Sequence, residues 1–261
     1  MKIREIYERI DALYPKRLSD EYIAAYGGRD NSGLLIDPGK EVTGAVFSLD
    51  FSMGALAFAK ERGANLLVTH HPAIFFPIAS LRADDPLGAR LLAAAREEMG
   101  VISMHLNCDC AAGGIDESLA RAAGAEGEVR ICEPLENAGY GRIYDVREQT
   151  LSEFAERLKK ELGARRAFVY GEAESPVRRA ASFCGAGADE GAVRHAREAG
   201  ADVIVSSDIK HNIICDAREA GLKLIQLTHY ASENYGFKKI YQHLSGKLGV
   251  PCAYWEDAGL L

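Results

Sequence analysis

The chain has 261 residues, 48% hydrophobic and 26% charged, enough to bury the core of one large domain or two smaller ones. Its formal net charge of −7 argues against a nucleic-acid backbone as the main partner, because phosphate binding needs a basic surface. The charged start, Met1-Lys2-Ile3-Arg4-Glu5, and the lack of an apolar run long enough to span a bilayer argue against a membrane and lead us to expect a cytoplasmic protein.

Ile3, Ile6, Ile10 and Leu13 recur at helical spacing, and Pro15 closes that helix. Leu18 to Tyr26 reads as a second short helix. Gly27-Gly28-Arg29-Asp30-Asn31-Ser32-Gly33 is a loop by composition, leading into the strand Leu34-Leu35-Ile36. After the turn Asp37-Pro38-Gly39 come a strand, Ala45 to Leu49, and a helix from about Ser52 to Arg62.

A phrase then repeats: a helix, a glycine, a short apolar strand, and polar residues where the strand stops. Glu61-Arg62-Gly63 leads to His70 and His71, and Glu97-Glu98-Met99-Gly100 leads to His105. Arg197-Glu198-Ala199-Gly200 leads to Ser206-Ser207-Asp208, and Arg218-Glu219-Ala220-Gly221 leads to His229. Glycine just past a helix takes the left-handed conformation that ends it. Helix–strand alternation implies mainly parallel sheets covered on both faces. Ala45 to His71 and Ala181 to Asp208 share the whole order, consistent with an internal duplication.

Between them, Glu126 to Val177 has another character. Gly139 to Val146 reads as a strand, Thr150 as the N-cap of a helix with Glu153 completing a capping box, and Ala167 to Tyr170 as a further strand. Phe237, Ile240, Tyr241 and Leu244 share one side of a C-terminal helix, and Pro251 to Trp255 is a last strand. The pattern predicts two α/β domains with mainly parallel sheets, the second inserted in the first. Residues 1–125 with 225–261 form the first, and 126–224 the insert.

The chemistry gathers at strand ends. The run Ala64 to Val68 stops at Thr69-His70-His71-Pro72, where proline lacks the N–H that a sheet ladder needs. In open α/β sheets, ligands bind at such ends. The next strand delivers His105-Leu106-Asn107-Cys108-Asp109 ahead of Ala112-Gly113-Gly114. A later one delivers Thr228-His229-Tyr230-Ala231-Ser232-Glu233; if a helix starts there, His229 and Glu233 share one face. His70, His71, Asp109, His229 and Glu233 are too many ligands for one closed tetrahedral zinc site. They suit two divalent ions, about 3.5–4 Å apart, sharing a bridging carboxylate. Zinc, manganese, iron or cobalt would all accept this mixed N/O set.

Other residues are open to two readings. His105 is a group that orients a ligand or touches substrate. Asp208 and His211 are either a general acid/base pair or a helix cap and a partly exposed histidine. Cys184-Gly185-Ala186-Gly187-Ala188-Asp189 is a tight turn or a phosphate cradle, the plain turn being favoured. The six cysteines, Cys108, Cys110, Cys132, Cys184, Cys215 and Cys252, form no CxxC pair, so neither a disulfide framework nor a zinc ribbon is indicated. Cys108 and Cys110 bracket Asp109 and are either buried thiols, the favoured reading, or ligands that shift metal preference toward zinc.

His70-His71-Pro72-x-x-Phe75, His105-x-x-x-Asp109 with its Ala-Gly-Gly, and His229-Tyr230-x-Ser232-Glu233 closely resemble the Nif-three-like dinuclear metal-centre family, also labelled GTP cyclohydrolase I type 2. Asn31-Ser32-Gly33-Leu34 resembles its N-terminal Asn-Gly-Leu element, making Asn31 a ligand-orienting or substrate residue. The resemblance implies that His71 and Asp109 hold one metal, His70 and His229 the other, and Glu233 bridges them in a cleft between two α/β domains. It also implies a ring-shaped homohexamer. This chain departs from the family at Asp208 and Asn212, where a glutamate and a second histidine are common.

The function expected is that of a metal-dependent hydrolase: a water bridging two ions would lose a proton near neutral pH and attack a small substrate. If the GTP cyclohydrolase label holds, the atom attacked is C8 of the guanine ring. The alternative is a non-catalytic metal-binding or regulatory partner-binding protein, which the same five ligands would serve.

Overall fold

Three of the four glycines in the repeated phrase behave as helix stops: Gly63, Gly200 and Gly221 have φ of 65°, 66° and 81°. The fourth differs. Glu98 takes the left-handed position there (φ 49°), and Gly100 opens a strand, where a Cβ would lie 2.3 Å from Ile3 Cδ1. That glycine sits in close packing, not in a turn. These features come from a computed structural model that describes residues 1–261.

The chain divides into two compact units, residues 1–108 with 237–257 and residues 109–236 with 258–261. The first contains α1 (Ile3–Asp11), α2 (Arg17–Tyr26), β1 (Gly33–Ile36), β2 (Ala45–Ser48), α3 (Met53–Glu61), β3 (Leu66–Thr69), α4 (Pro86–Arg96) and β4 (Gly100–Ser103). A short helix, α5 (Leu106–Cys110), leads out of it, and β11 (Cys252–Tyr254) ends it. Its sheet has the order β1-β4-β3-β2-β11, parallel except for β1. Val46, Leu67 and Val101 pack against Ala55, Leu56 and Ala59 of α3 and Leu91 and Ala94 of α4. Each fully buried aliphatic side chain contributes about 1.5–3 kcal/mol.

The second unit contains α6 (Ile115–Ala122), β5 (Glu126–Leu135), β6 (Ala138–Thr150), α7 (Leu151–Leu162), β7 (Ala167–Tyr170), β8 (Pro176–Ser182), α8 (Glu190–Glu198), β9 (Val203–Ser207), α9 (His211–Glu219) and β10 (Lys223–Leu227). Helix α10 (His229–Ser245) carries the chain back. The sheet order is β5-β6-β8-β9-β10-β7. Only β8, β9 and β10 run parallel; the hairpin β5–β6 and the edge strand β7 are antiparallel. Thr150 caps α7 with the expected box, its Oγ1 accepting from the Glu153 N–H. The parallel pairs β2–β3 and β8–β9 each enclose one helix, α3 or α8, as the matching sequence phrases require.

The unit boundaries differ from those expected. Residues 225–236 belong to the second unit because β10 pairs with β9 on one side and β7 on the other. Residues 109–125 join it too, with α6 packed on β6 and β8. No helix is long and apolar enough to cross a membrane.

Candidate metal centre

Sheet topology explains the first group of residues. β3 and β4 run parallel and release His70, His71 and His105 at their carboxyl ends. β1 runs the other way, with Gly33 beside Ser103, so its start brings Asp30, Asn31 and Ser32 to the same end. The ring centroids of His70 lie 4.8 Å from His71 and 5.2 Å from His105. His70 is fully buried, with Phe237 5.8 Å from it. Asn31 Nδ2 donates to the Ile74 carbonyl, tying the loop before β1 to the segment after His71.

The hydrogen bonds settle which ring nitrogen each histidine presents. His70 Nδ1 lies 2.8 Å from the Met104 carbonyl oxygen, which only accepts, so that nitrogen carries the proton. His71 Nδ1 donates to Asp50 Oδ1 at 2.7 Å, and His105 Nδ1 to Asp30 Oδ1 at 2.7 Å. In each ring Nδ1 is the anchored nitrogen and Nε2 is the one turned away from the anchor. A ligand histidine is held in this way by an outer carbonyl or carboxylate that fixes its tautomer.

Asp30 lies deep enough for burial to raise its carboxyl, but the hydrogen bond and charge of His105, with the Ser19 and Ser32 hydroxyls, win and hold it well below the usual carboxylate range. Because the folded carboxyl titrates lower than the unfolded one, the unfolded chain takes up more protons as the pH falls. The stability from this group is present above about pH 4 and is lost below it. Asp30→Asn should therefore lower the urea midpoint near neutrality and flatten its decline between about pH 5 and 3. Equal slopes in the two proteins would count against the depressed carboxyl.

In the second unit, the parallel strands β8, β9 and β10 release their chemistry at one end as well. Leu227 lies beside Ser207, which brings His229 next to Asp208. His229 Nδ1 donates to Asp208 Oδ2 at 2.7 Å, and its Nε2 is 3.1 Å from Glu233 Oε2, one helical turn on along α10. Asp208 has φ of 47°, a left-handed position that Asp tolerates. It does not cap α9, whose N-cap is Lys210. Its contact is that of a group that orients an imidazole. His211 stands apart on α9, with Cys215 Sγ 3.7 Å from its Nε2.

Beyond β8, Cys184 and Gly185 form a turn fixed by hydrogen bonds on every side. Cys184 N donates to Asp116 Oδ1 at 3.1 Å, and Tyr140 Oη donates to the Cys184 carbonyl. Gly185 N donates to Ser232 Oγ at 3.0 Å, while its carbonyl accepts from Ser207 Oγ at 2.6 Å. Gly185 has φ of 57°, and a Cβ there would lie 2.2 Å from Glu233 Oε1 and 3.2 Å from His229 Nε2. Only glycine lets the carboxylate come that close.

Asp109, Cys184 and Glu233 are all buried, and their donor atoms lie within 4.8 Å of one another. Cys184 Sγ is 3.4 Å from Asp109 Oδ1. Burial, followed by the charges of Asp109, Asp116 and Glu233, pushes the Cys184 thiol up. The structure thus adds Cys184 to the predicted residues. Cys110 is a buried thiol pushed up by burial, and Cys108 is likewise buried. The turn after Cys184 is no phosphate cradle, since the Asp189 carboxylate itself caps α8.

Within the second unit, the His229 imidazole, two buried carboxylates and a thiol are donors of the kind that suit a borderline divalent ion such as zinc, iron or cobalt. A Clostridium perfringens protein named GTP cyclohydrolase 1 type 2 homolog is 29% identical over 237 residues, 89% of this chain and 87% of its own length. A Methanocaldococcus jannaschii protein of the same name is 29% identical over 96% of this chain and 97% of its own. Among solved structures, a Staphylococcus aureus hypothetical protein superposes with a TM-score of 0.86 at 26% identity, covering 99% of this chain and 97% of its own. The family model of Duf34/NIF3 (NGG1p interacting factor 3) matches residues 1–255, nearly the whole chain, and the chain belongs to that family.

Proposed function

We propose that this protein binds two divalent metal ions through His70, His71, Asp109, His229 and Glu233, and is a metal-dependent hydrolase of a small, nucleotide-like substrate. The observation that carries this reading is the common state of the histidines. His70, His71, His105 and His229 each have Nδ1 engaged by a carbonyl or carboxylate, so all four rings are anchored through the same nitrogen and turn Nε2 away from that anchor. Histidines serving only to pack or cap have no reason to be anchored through the same nitrogen. The name GTP cyclohydrolase 1 type 2 homolog, carried by relatives, motivates the substrate class.

Bound ions of this class supply Lewis-acid polarisation and activate water near neutral pH. The chain supplies the rest. His105, backed by the buried Asp30 carboxylate, is built to take or give a proton at Nε2. Asp208 keeps the His229 ring turned, and Asp50 does the same for His71.

A second reading, a non-catalytic metal-binding or regulatory protein, draws on the two residues expected to move protons. Asp208 is committed to His229, and His211 keeps company with Cys215 instead. One experiment separates the claims. Protein purified without chelator or added metal should carry about two equivalents of transition metal by elemental analysis, falling sharply in Asp109→Ala. Identical metal-poor proteins would end the metal reading. Metal-loaded protein that leaves GTP and other nucleotides unchanged would favour the second reading. Assembly as a homohexamer belongs to the same proposal and is read by light scattering.

A further inference from the structure

We infer that Cys184 is a sulfur ligand of the metal centre, forming with Asp109 and Glu233 an O₂S donor set that selects zinc, iron(II) or cobalt(II) over manganese, magnesium or calcium. The inference rests on the metal reading above and names a ligand beyond the five proposed there.

The environment of the thiol is the first argument. A cysteine that merely fills core space sits among apolar side chains, as a small hydrophobe does. Cys184 Sγ instead faces carboxylates: Asp109 Oδ1 at 3.4 Å, with a Glu233 oxygen in the same 4.8 Å cluster. Donors about 2.3 Å (sulfur) and 2.1 Å (oxygen) from one ion lie roughly 3–3.6 Å apart at ordinary coordination angles, and the observed spacing falls in that range.

The second argument is preorganisation. The Cys184 backbone is gripped from both sides, its N–H by Asp116 and its carbonyl by Tyr140. The next residue, Gly185, lacks the Cβ that would collide with Glu233 Oε1. One two-residue turn therefore both delivers the sulfur and makes room for the carboxylate. Ligands held by such outer contacts lose little freedom on binding. Ligation would exchange the S–H proton, released to solvent, for a sulfur–metal bond. A thiolate among carboxylates favours borderline-soft ions, whereas an all-oxygen pair would suit manganese or magnesium.

Cobalt(II) reads this directly, because a thiolate ligand gives a near-ultraviolet charge-transfer band that carboxylates and imidazoles do not. Metal-free protein titrated anaerobically with cobalt should show that band together with visible d–d bands. Cys184→Ser and Cys184→Ala should lose the ultraviolet band, keep the d–d bands, and lose about tenfold in preference for cobalt over manganese. Cys110→Ser should keep everything. Visible bands without the charge-transfer band in the unaltered protein would overturn the sulfur ligand and leave the metal centre standing. So would a band that survives in both Cys184 variants. Failure to retain any cobalt would overturn both readings.

Discussion

Asp116→Ala should cost the second unit about 3–5 kcal/mol, the range found when one partner of a buried ion pair is removed. Asp116 and Arg142 are both buried, and Arg142 Nη1 lies 3.0 Å from Asp116 Oδ2. Burial pushes the Asp116 carboxyl up to about 6, against the Arg142 charge and the N–H groups of Cys184 and Gly141, which pull it down. It is ionised near neutrality and its charge answers that of Arg142. Truncation would strand the guanidinium, which retains only the Gly139 and Gly141 carbonyls as acceptors. It would also remove the acceptor of Cys184 N. A fall of roughly 10 °C in the melting temperature follows for a chain of this size. The double variant Asp116→Ala/Arg142→Met should recover most of the loss, since well-packed apolar residues replace buried pairs at little cost. A single variant within about 1 kcal/mol of the parent would mean that Arg142 reaches water.

Much of this architecture is legible in the sequence, for reasons that can be named. β3 and β4 are bounded by the helix stop before them and by polar residues after them, and the capping box at Thr150 is a local hydrogen-bond pattern. The hairpin is half legible. β6 is largely buried and patterned, whereas β5 has residues Glu126, Glu128, Arg130 and Glu133 along a mostly exposed strand, with no apolar face to announce it. α5 is too short for a helical period to show, so Asp109 reads as a loop residue. The boundary after β10 is invisible because pairing with β9 and β7 is a long-range choice that apolar periodicity does not encode.

The site divides in the same way. Histidines at strand ends stand out because imidazole is rare and its metal chemistry well known. Cys184 lies two residues beyond β8, as Asp50 lies two beyond β2, and nothing in a lone cysteine separates a ligand from core filler. The strand-end rule applied to every thiol, and not only to imidazoles, would have pointed to it. Asp208 is legible as a strand-end acid but not in its contact. Only the register of β10 on β9 shows that its carboxylate meets His229 Nδ1.

Gly185→Ala should lower metal retention as sharply as Asp109→Ala while leaving the fold standing. Two costs arise at this position, and they differ in kind. An L-residue at φ 57° carries about 1–2 kcal/mol of backbone strain, which a unit of this size survives. The added methyl group is the larger matter for the site. At 2.2 Å from Glu233 Oε1 and 3.2 Å from His229 Nε2, it claims the space where these donors meet, and one of them must swing away. The backbone cannot yield instead, because Gly185 N is held by Ser232 and its carbonyl by Ser206 and Ser207. Elemental analysis should therefore show metal lost, and urea unfolding should show a loss of about 1–2 kcal/mol. A variant that keeps its full metal content would show that Glu233 Oε1 is not a ligand. A variant that unfolds would show that the turn serves stability more than binding.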